Sequence, residues 1–379
     1  MSEQVCSYLT KKKGSCTPEL SAKWALLEDL YIKKLWHQLT VELLSFVKEP
    51  SLQSDGQLID LYQNFISDFE NKMNLLSLVE IIAHVVVQMT DHEYCMSCLE
   101  KTREKVKGNP KAVILCNILM GQKLREKKDM DGVKKLIEET EQMVDSLGAV
   151  TEVHARFYQL TSEFYKVSAD YANYYLHALR YLGCTNIEQV PIEERREKCF
   201  TLALAALLGD NVYNFGELLS HPIVSSLDGT PQAWVIELLR AFNHGDLKKY
   251  EELRPRWTEQ QDLQANELTL KRKMCLLCLM EMTFNKATNQ RVLSFQEVSD
   301  KTTLPIGEVE VLMMKALSLG LVKGTIDQVD QKITMTWVQP RVLDKEQISQ
   351  MRTRLDTWCQ DVSDMTLLLS QKAHDILTV

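Results

Sequence analysis

The sequence predicts a mainly α chain in three stretches: helical hairpins stacked in series, a small unit of helices and short strands, and one long terminal helix. Three observations predict it. The 379 residues hold only 14 Gly and 9 Pro, too few to punctuate a many-stranded sandwich or barrel. Apolar residues recur near the 3.6-residue period from Trp24 to about Tyr250. After Gln264 the pattern changes, and two short runs alternate with period two.

In the first stretch, Leu27, Leu30, Tyr31 and Leu35 share one face of a helix predicted over residues 24–36. Short breaks follow at Glu49-Pro50, Asn109-Pro110, Gly132, Gly148, Val190-Pro191, His221-Pro222 and Asp228-Gly229, each interval long enough for a helix or a helical hairpin. Thr230-Pro231 reads as a helix start, a capping hydroxyl with proline behind it. The clearest hairpin runs from Val153 to Leu182. Phe157, Leu160, Phe164 and Val167 form one stripe, and Tyr171, Tyr174, Tyr175, Ala178 and Leu182 the facing one. Hairpins in series make an α-solenoid, here a degenerate one, because no clean repeat recurs at 34 residues.

The second stretch opens with a helix over Glu267 to Asn285 and a short extended piece at Arg291 to Leu293. Ser294 and Glu297 form a capping box for a helix ending near Lys301. Thr303 and Pro305 start the next helix, carrying Ile306, Val309, Met313, Ala316 and Leu317, and Gly320 ends it. Val322 and Ile326, then Ile333, Met335 and Trp337, alternate with polar residues around a turn at Asp327 to Asp330. This order is that of a winged helix.

The third stretch is a helix from Asp344 to about Ile376. Ile348, Met351, Leu355, Trp358, Val362, Met365 and Leu369 follow the 3–4 spacing of a heptad, Lys372 interrupts it, and Ile376 resumes it. A helix lying on its own domain needs a wider apolar stripe. The narrow seam predicts packing against helices of other chains.

Charge and motifs exclude several function classes. The formal charge of −8 argues against a general polyanion binder. Between Pro305 and Arg341, Lys315, Lys323, Lys332 and Arg341 balance Glu308, Glu310, Asp327 and Asp330, so the stretch that would read DNA is neutral and no nucleic-acid partner is expected. Phosphate loops, dinucleotide fingerprints, nucleophile elbows and paired-histidine metal motifs are all missing, so no catalytic residue, cofactor or small-molecule substrate is predicted. Cys95/Cys98 and Cys275/Cys278 have the spacing of half a zinc site each. Both pairs sit in helical text where i and i+3 share a face, which favours packing and no metal. The ten cysteines are irregularly spaced and the N-terminus carries no secretory pattern, as expected for a soluble protein of a reducing compartment. The longest apolar stretches, 81–89 and 199–209, are about half the roughly 20 residues a membrane span needs, so no membrane partner is expected.

With these parts in place the chain resembles the PCI-domain family, whose subunits build the proteasome lid, the COP9 signalosome and translation initiation factor three. Within it, Leu30-Tyr-Ile-Lys-Lys-Leu-Trp36, Ala178-Leu-Arg-Tyr-Leu-Gly183, Tyr213-Asn-Phe-Gly-Glu-Leu-Leu219, Leu276-Leu-Cys-Leu-Met-Glu-Met-Thr-Phe284 and Trp337-Val-Gln-Pro-Arg-Val-Leu-Asp344 resemble lid subunits of the 26S proteasome. The resemblance covers the chain from about Trp24 onward. It implies a poorly ordered N-terminus over 1–22, a helical-repeat arm over 23–169, a PCI domain over 170–341 with its winged helix at 267–341, and a bundling helix over 344–379. It implies a non-enzymatic scaffold in the cytoplasm and nucleus, held in a hetero-oligomer with other lid subunits of PCI and MPN type. The alternatives it leaves open are a scaffold of another PCI complex and a winged-helix nucleic-acid binder.

Overall fold

The computed structural model describes residues 2–15, 18–52, 56–89, 91–286, 291–343 and 345–372. The chain divides into two compact units, residues 1–170 with 176–185, and residues 171–175 with 186–379.

The first unit is helical: α1 (Ser2–Ser15), α2 (Pro18–Ile32), α3 (Trp36–Phe46), a broken helical stretch over 57–72, α4 (Leu75–Gln88), α5 (His92–Lys105), α6 (Pro110–Glu126), α7 (Met130–Asp145) and α8 (Glu152–Val167), with most of α9 (Tyr171–Cys184). Polar side chains set the starts. Asn74, Asp91, Asn109 and Asp129 each accept a backbone N–H of the first turn of α4, α5, α6 and α7, supplying partners the helix itself cannot. Helix α6 is the axle. It is buried continuously from Ala112 to Gly121 and packs against α4, α5, α7 and α8. A Cβ on Gly121 would lie 2.7 Å from Leu160 Cδ2, so glycine permits the close crossing of α6 and α8. The buried pair Asn117 Nδ2 to Thr140 Oγ1, at 3.2 Å, registers α6 against α7.

Three expectations change in this unit. The first residues are not featureless: α1 packs on α2 with Val5 and Leu9 buried, and Tyr8 meets the Trp24 ring edge-on. The helix predicted over 24–36 breaks at Lys34, which adopts φ +57°, so Leu35 leaves the face it was assigned and lies exposed ahead of α3. Phe157, Leu160 and Phe164 are buried, but Val167 sits exposed at the end of α8, beside the turn where Ala169 takes φ +56°.

The second unit contains α10 (Ile192–Leu208), α11 (Trp234–His244), α12 (Glu267–Asn285), β1 (Val292–Ser294), α13 (Phe295–Thr302), α14 (Ile306–Ser318), β2 (Val322–Asp327), β3 (Lys332–Val338) and α15 (Lys345–Lys372). Tyr174 and Tyr175 are core residues here: their hydroxyls reach Thr201 Oγ1 and Asn214 O, both at 3.0 Å, while Tyr171 stays partly exposed. Helix α11 starts at Trp234, not at Thr230, whose hydroxyl instead donates to Leu227 O in the preceding turn.

Two contacts join the helical layers of this unit. Gly245 ends α11 at φ +64°, and its Cα comes so close to α12 that a Cβ would lie 2.5 Å from Cys278 Cα. Lys273, on α12, is buried and aims its ammonium at the end of α10, donating to Ala206 O (2.8 Å), Leu207 O (3.1 Å) and Gly209 O (2.9 Å). The cation complements the partial negative charge of a helix C-terminus and occupies carbonyls that α10 leaves unpaired. Phe215 and Tyr213 rings stand 5.3 and 5.8 Å away.

Candidate assembly surfaces: the winged helix and the terminal helix

The winged helix is built by local signals. The capping box is present in full: Glu297 N donates to Ser294 Oγ at 3.1 Å, and Ser294 N donates to Glu297 Oε2 at 3.0 Å. That amide, then Lys286 at 3.1 Å, hold the Glu297 carboxyl below its ordinary pKa. The sheet is antiparallel in the order β1-β3-β2, with Leu293 opposite Ile333 and Thr325 opposite Thr334. A bulge at Lys323/Gly324 shifts the register, and a Cβ on Gly324 would lie 2.3 Å from Thr334 O. Beyond the bulge Trp337 does not join Ile333 and Met335 in the core. It lies 37% exposed, with Lys323 Nζ 5.1 Å from its ring centre.

Helix α14 occupies the place of a DNA-reading helix but presents the wrong chemistry for phosphates. Val309, Leu312, Met313 and Ala316 face the core, while Ile306, Glu308, Val311, Met314 and Lys315 are exposed. One lysine among apolar and acidic side chains supplies little counterion release.

Of the four paired cysteines, Cys95, Cys275 and Cys278 are buried and Cys98 is half-buried. Cys275 and Cys278 are buried and their thiols point at Thr302 O (3.9 Å) and Lys301 O (4.0 Å), at the end of α13. Burial pushes the Cys278 thiol up to about 11, away from the thiolate a metal would need. Cys95 is buried against Val86 O. Among the described residues no group of three His, Cys, Asp or Glu is placed to hold a metal, and no helix is long and apolar enough to cross a membrane.

Among the described residues, α15 is anchored only toward its N-terminal end. Arg341, just after β3, donates through Nη1 to Asn243 O (3.1 Å) and through Nη2 to Glu281 Oε2 (2.6 Å). Gln347, in the first turn of α15, donates to the same carboxylate at 3.2 Å. Asn214 Oδ1 accepts Val342 N, and a Cβ on Gly216 would lie 2.6 Å from Val342 O, so the linker lies flush on the unit. Arg354 Nη2 reaches Asn285 O at 3.0 Å. Past Gln347, every described residue of α15 is exposed.

The predicted seam therefore projects from a fixed root. Ile348, Met351, Leu355, Trp358, Val362, Met365 and Leu369 are between 41% and 63% exposed, while Ile376 lies outside the described residues. Leu367 and Leu368 widen the apolar surface near the tip, a feature the 3–4 spacing did not announce. Also unread in the sequence were Glu281 and Arg341, because 60 residues separate the partners of this pair.

Known proteins resemble the chain along most of its length. Family models match over residues 23–239 (PSD13 N-terminal repeats), 247–337 (PCI domain) and 341–371 (Rpn9 C-terminal helix). The chain is 38% identical to the 26S proteasome non-ATPase regulatory subunit 13 homolog A of Arabidopsis thaliana, over 98% of each chain. It is 35% identical to the 26S proteasome non-ATPase regulatory subunit 13 of Dictyostelium discoideum, over 95% of each. It is 30% identical to the 26S proteasome regulatory subunit RPN9 of Saccharomyces cerevisiae, over 98% of each. With repeats, PCI domain and terminal helix all matched in order, the chain belongs to the family of 26S proteasome non-ATPase regulatory subunit 13.

Proposed function

We propose that this chain is a non-catalytic structural subunit of the lid of the 26S proteasome regulatory particle, supporting ATP-dependent degradation of ubiquitinated proteins in cytoplasm and nucleus. Its partners are other lid subunits of PCI and MPN type. The winged helix meets neighbouring chains, and the seam from Ile348 to Leu369, with Ile376 beyond it, enters a bundle with their terminal helices. The observation that carries this reading is the one-sided anchoring of α15: a largely buried ion pair fixes its root while the seam from Ile348 to Leu369 is left to solvent. Exposed apolar surface of this extent marks an association site.

The test is incorporation. Removing residues 345–379, or placing charges in the seam with Leu355→Asp and Trp358→Asp, should abolish recovery of the chain in the lid by native mass spectrometry. Undiminished incorporation of both variants would refute the role of the seam. The same purification, followed by localisation of the tagged chain, tests the compartments. Salt-sensitive retention on a phosphate-rich matrix would instead support nucleic-acid binding.

A further inference from the structure

Whether the seam of α15 can be covered before any other subunit arrives depends on its flanking charges. In heptad terms Ile348, Leu355, Val362 and Leu369 hold position a, and Met351, Trp358, Met365 and Lys372 position d. Arg354 and Asp361 then hold g, and Arg352 and Cys359 hold e. A second copy laid parallel brings g opposite e, so Arg354 meets Cys359 and Asp361 meets Thr366, and no opposite charges pair.

Antiparallel, g faces g, and two registers fill the seam. One stacks Met351 on Leu369 and Leu355 on Met365, and it sets Asp361 against Asp361 of the second copy. The other stacks Ile348 on Met365, Met351 on Val362 and Leu355 on Trp358. It sets Arg354 of each copy against Asp361 of the other, twice by symmetry. Of the remaining charges on the helix, Arg352 pairs with Asp356 one turn on at 3.7 Å, Asp364 accepts from Gln360 at 3.1 Å, and Lys345, Glu346 and Lys372 lie at the ends. Arg354 gives one Nη2 bond to Asn285 O, and its fork has other donors to offer.

We infer that the free chain associates with a second copy of itself through an antiparallel pairing of α15, in the register that sets Arg354 against Asp361. The inference rests on the seam being an association surface and names the occupant it has before assembly. The shared layers run from Ile348 to Met365, about 27 Å of helix, which leaves Leu367, Leu368 and Leu369 uncovered at each tip. So short a zipper is a weak, reversible holding state. It must open when other helices take the seam, and the uncovered tips are where they can first make contact.

Sedimentation equilibrium of the full-length chain across the micromolar range tests this. The wild type should show a monomer–dimer equilibrium, and Leu355→Asp with Trp358→Asp should be monomeric. Arg354→Asp or Asp361→Arg alone should raise the dissociation constant roughly tenfold, because each removes two opposite-charge contacts and creates two like-charge ones. Combined, the two reversals should restore it to near the wild-type value. All four substitutions lie on exposed positions, and unchanged circular dichroism will show that the units stay folded. A wild type that stays monomeric, single reversals without effect, or a double reversal that fails to rescue would each overturn the inference. Incorporation of the Leu355→Asp/Trp358→Asp chain judges the lid reading separately: a monomeric wild type whose seam variant is lost from the lid sinks the self-pairing alone.

Discussion

Replacing Arg341 by Met should release the root of α15. The substitution keeps the aliphatic stem but leaves Glu281 without its cation, at side-chain exposures of only 8% for Arg341 and 13% for Glu281. Breaking a buried pair from one side costs about 3–5 kcal/mol, whereas an exposed pair such as Arg352–Asp356 is worth about 0.3–0.5 kcal/mol. Gln347 still donates to the stranded carboxylate, and some water reaches it, so about 3 kcal/mol is the expected loss. The Asn243 carbonyl also loses its donor. Replacing both residues with Arg341→Met and Glu281→Met removes both charges and should recover most of that loss. Urea unfolding of wild type, both singles and the double variant gives the coupling energy, and hydrogen exchange over 339–354 shows whether the root opens alone. The reasoning fails if each single variant costs under about 1 kcal/mol, or if the double variant costs the sum of the singles.

Other positions test the packing around the candidate surfaces. Gly245→Ala forces a Cβ to within 2.5 Å of Cys278 Cα at φ +64°, and urea unfolding should register a loss of at least about 2 kcal/mol. His177 is buried beside Thr161 and stacked on Tyr165, and burial, then the charge of Arg180, lowers its pKa from 6.5 to about 4. The unfolded chain thus takes up that proton first, so stability present above pH 6.5 is lost as pH falls toward 4, by about 3 kcal/mol. His177→Gln should flatten this part of the stability–pH curve, and parallel curves would refute the assignment. Lys273→Met orphans three carbonyls at the end of α10 and should cost about 2 kcal/mol near pH 7 by urea unfolding. Burial pulls the Lys273 pKa down from 10.5, while three accepting carbonyls favour the ammonium, which alone can donate to all of them, so the cost of Lys273→Met should be largest where the lysine is charged.

What the sequence made legible was what is written locally. The capping box at Ser294 and Glu297, the stop at Gly320 and the heptad spacing from Ile348 each act within a few residues, and the elements they specify lie where those signals put them. Backbone conformations that no propensity announces were missed. Lys34 and Ala169 take positive φ without being Gly or Asn, and each ends an apolar stripe that periodicity alone would have continued. Trp337 was misplaced because the register shift opposite Lys323/Gly324 inserts Thr336 as an extra residue in β3, which shows only in the paired sheet. The N-terminal helix was missed because its two buried residues, Val5 and Leu9, make too thin a stripe beside Lys11, Lys12 and Lys13. Contacts between distant residues left no trace at all: Lys273 caps a helix that ends some 65 positions earlier, and the Arg341–Glu281 pair joins two segments with no shared pattern.

The contrast between the two ends of α15 carries the functional argument. An isolated helix in water is only marginally stable, and here every described residue beyond Gln347 is exposed. Exposure by itself would be unremarked, since single apolar residues are common on any surface. The root removes that explanation. A largely buried Arg–Glu pair, two side-chain amides and a linker pressed against Gly216 form a costly anchorage for a helix whose described residues contribute almost no core to the unit that anchors it. Fixing the origin of a projecting seam lowers the entropy lost when other helices align with it, so the anchor strengthens an association it never touches.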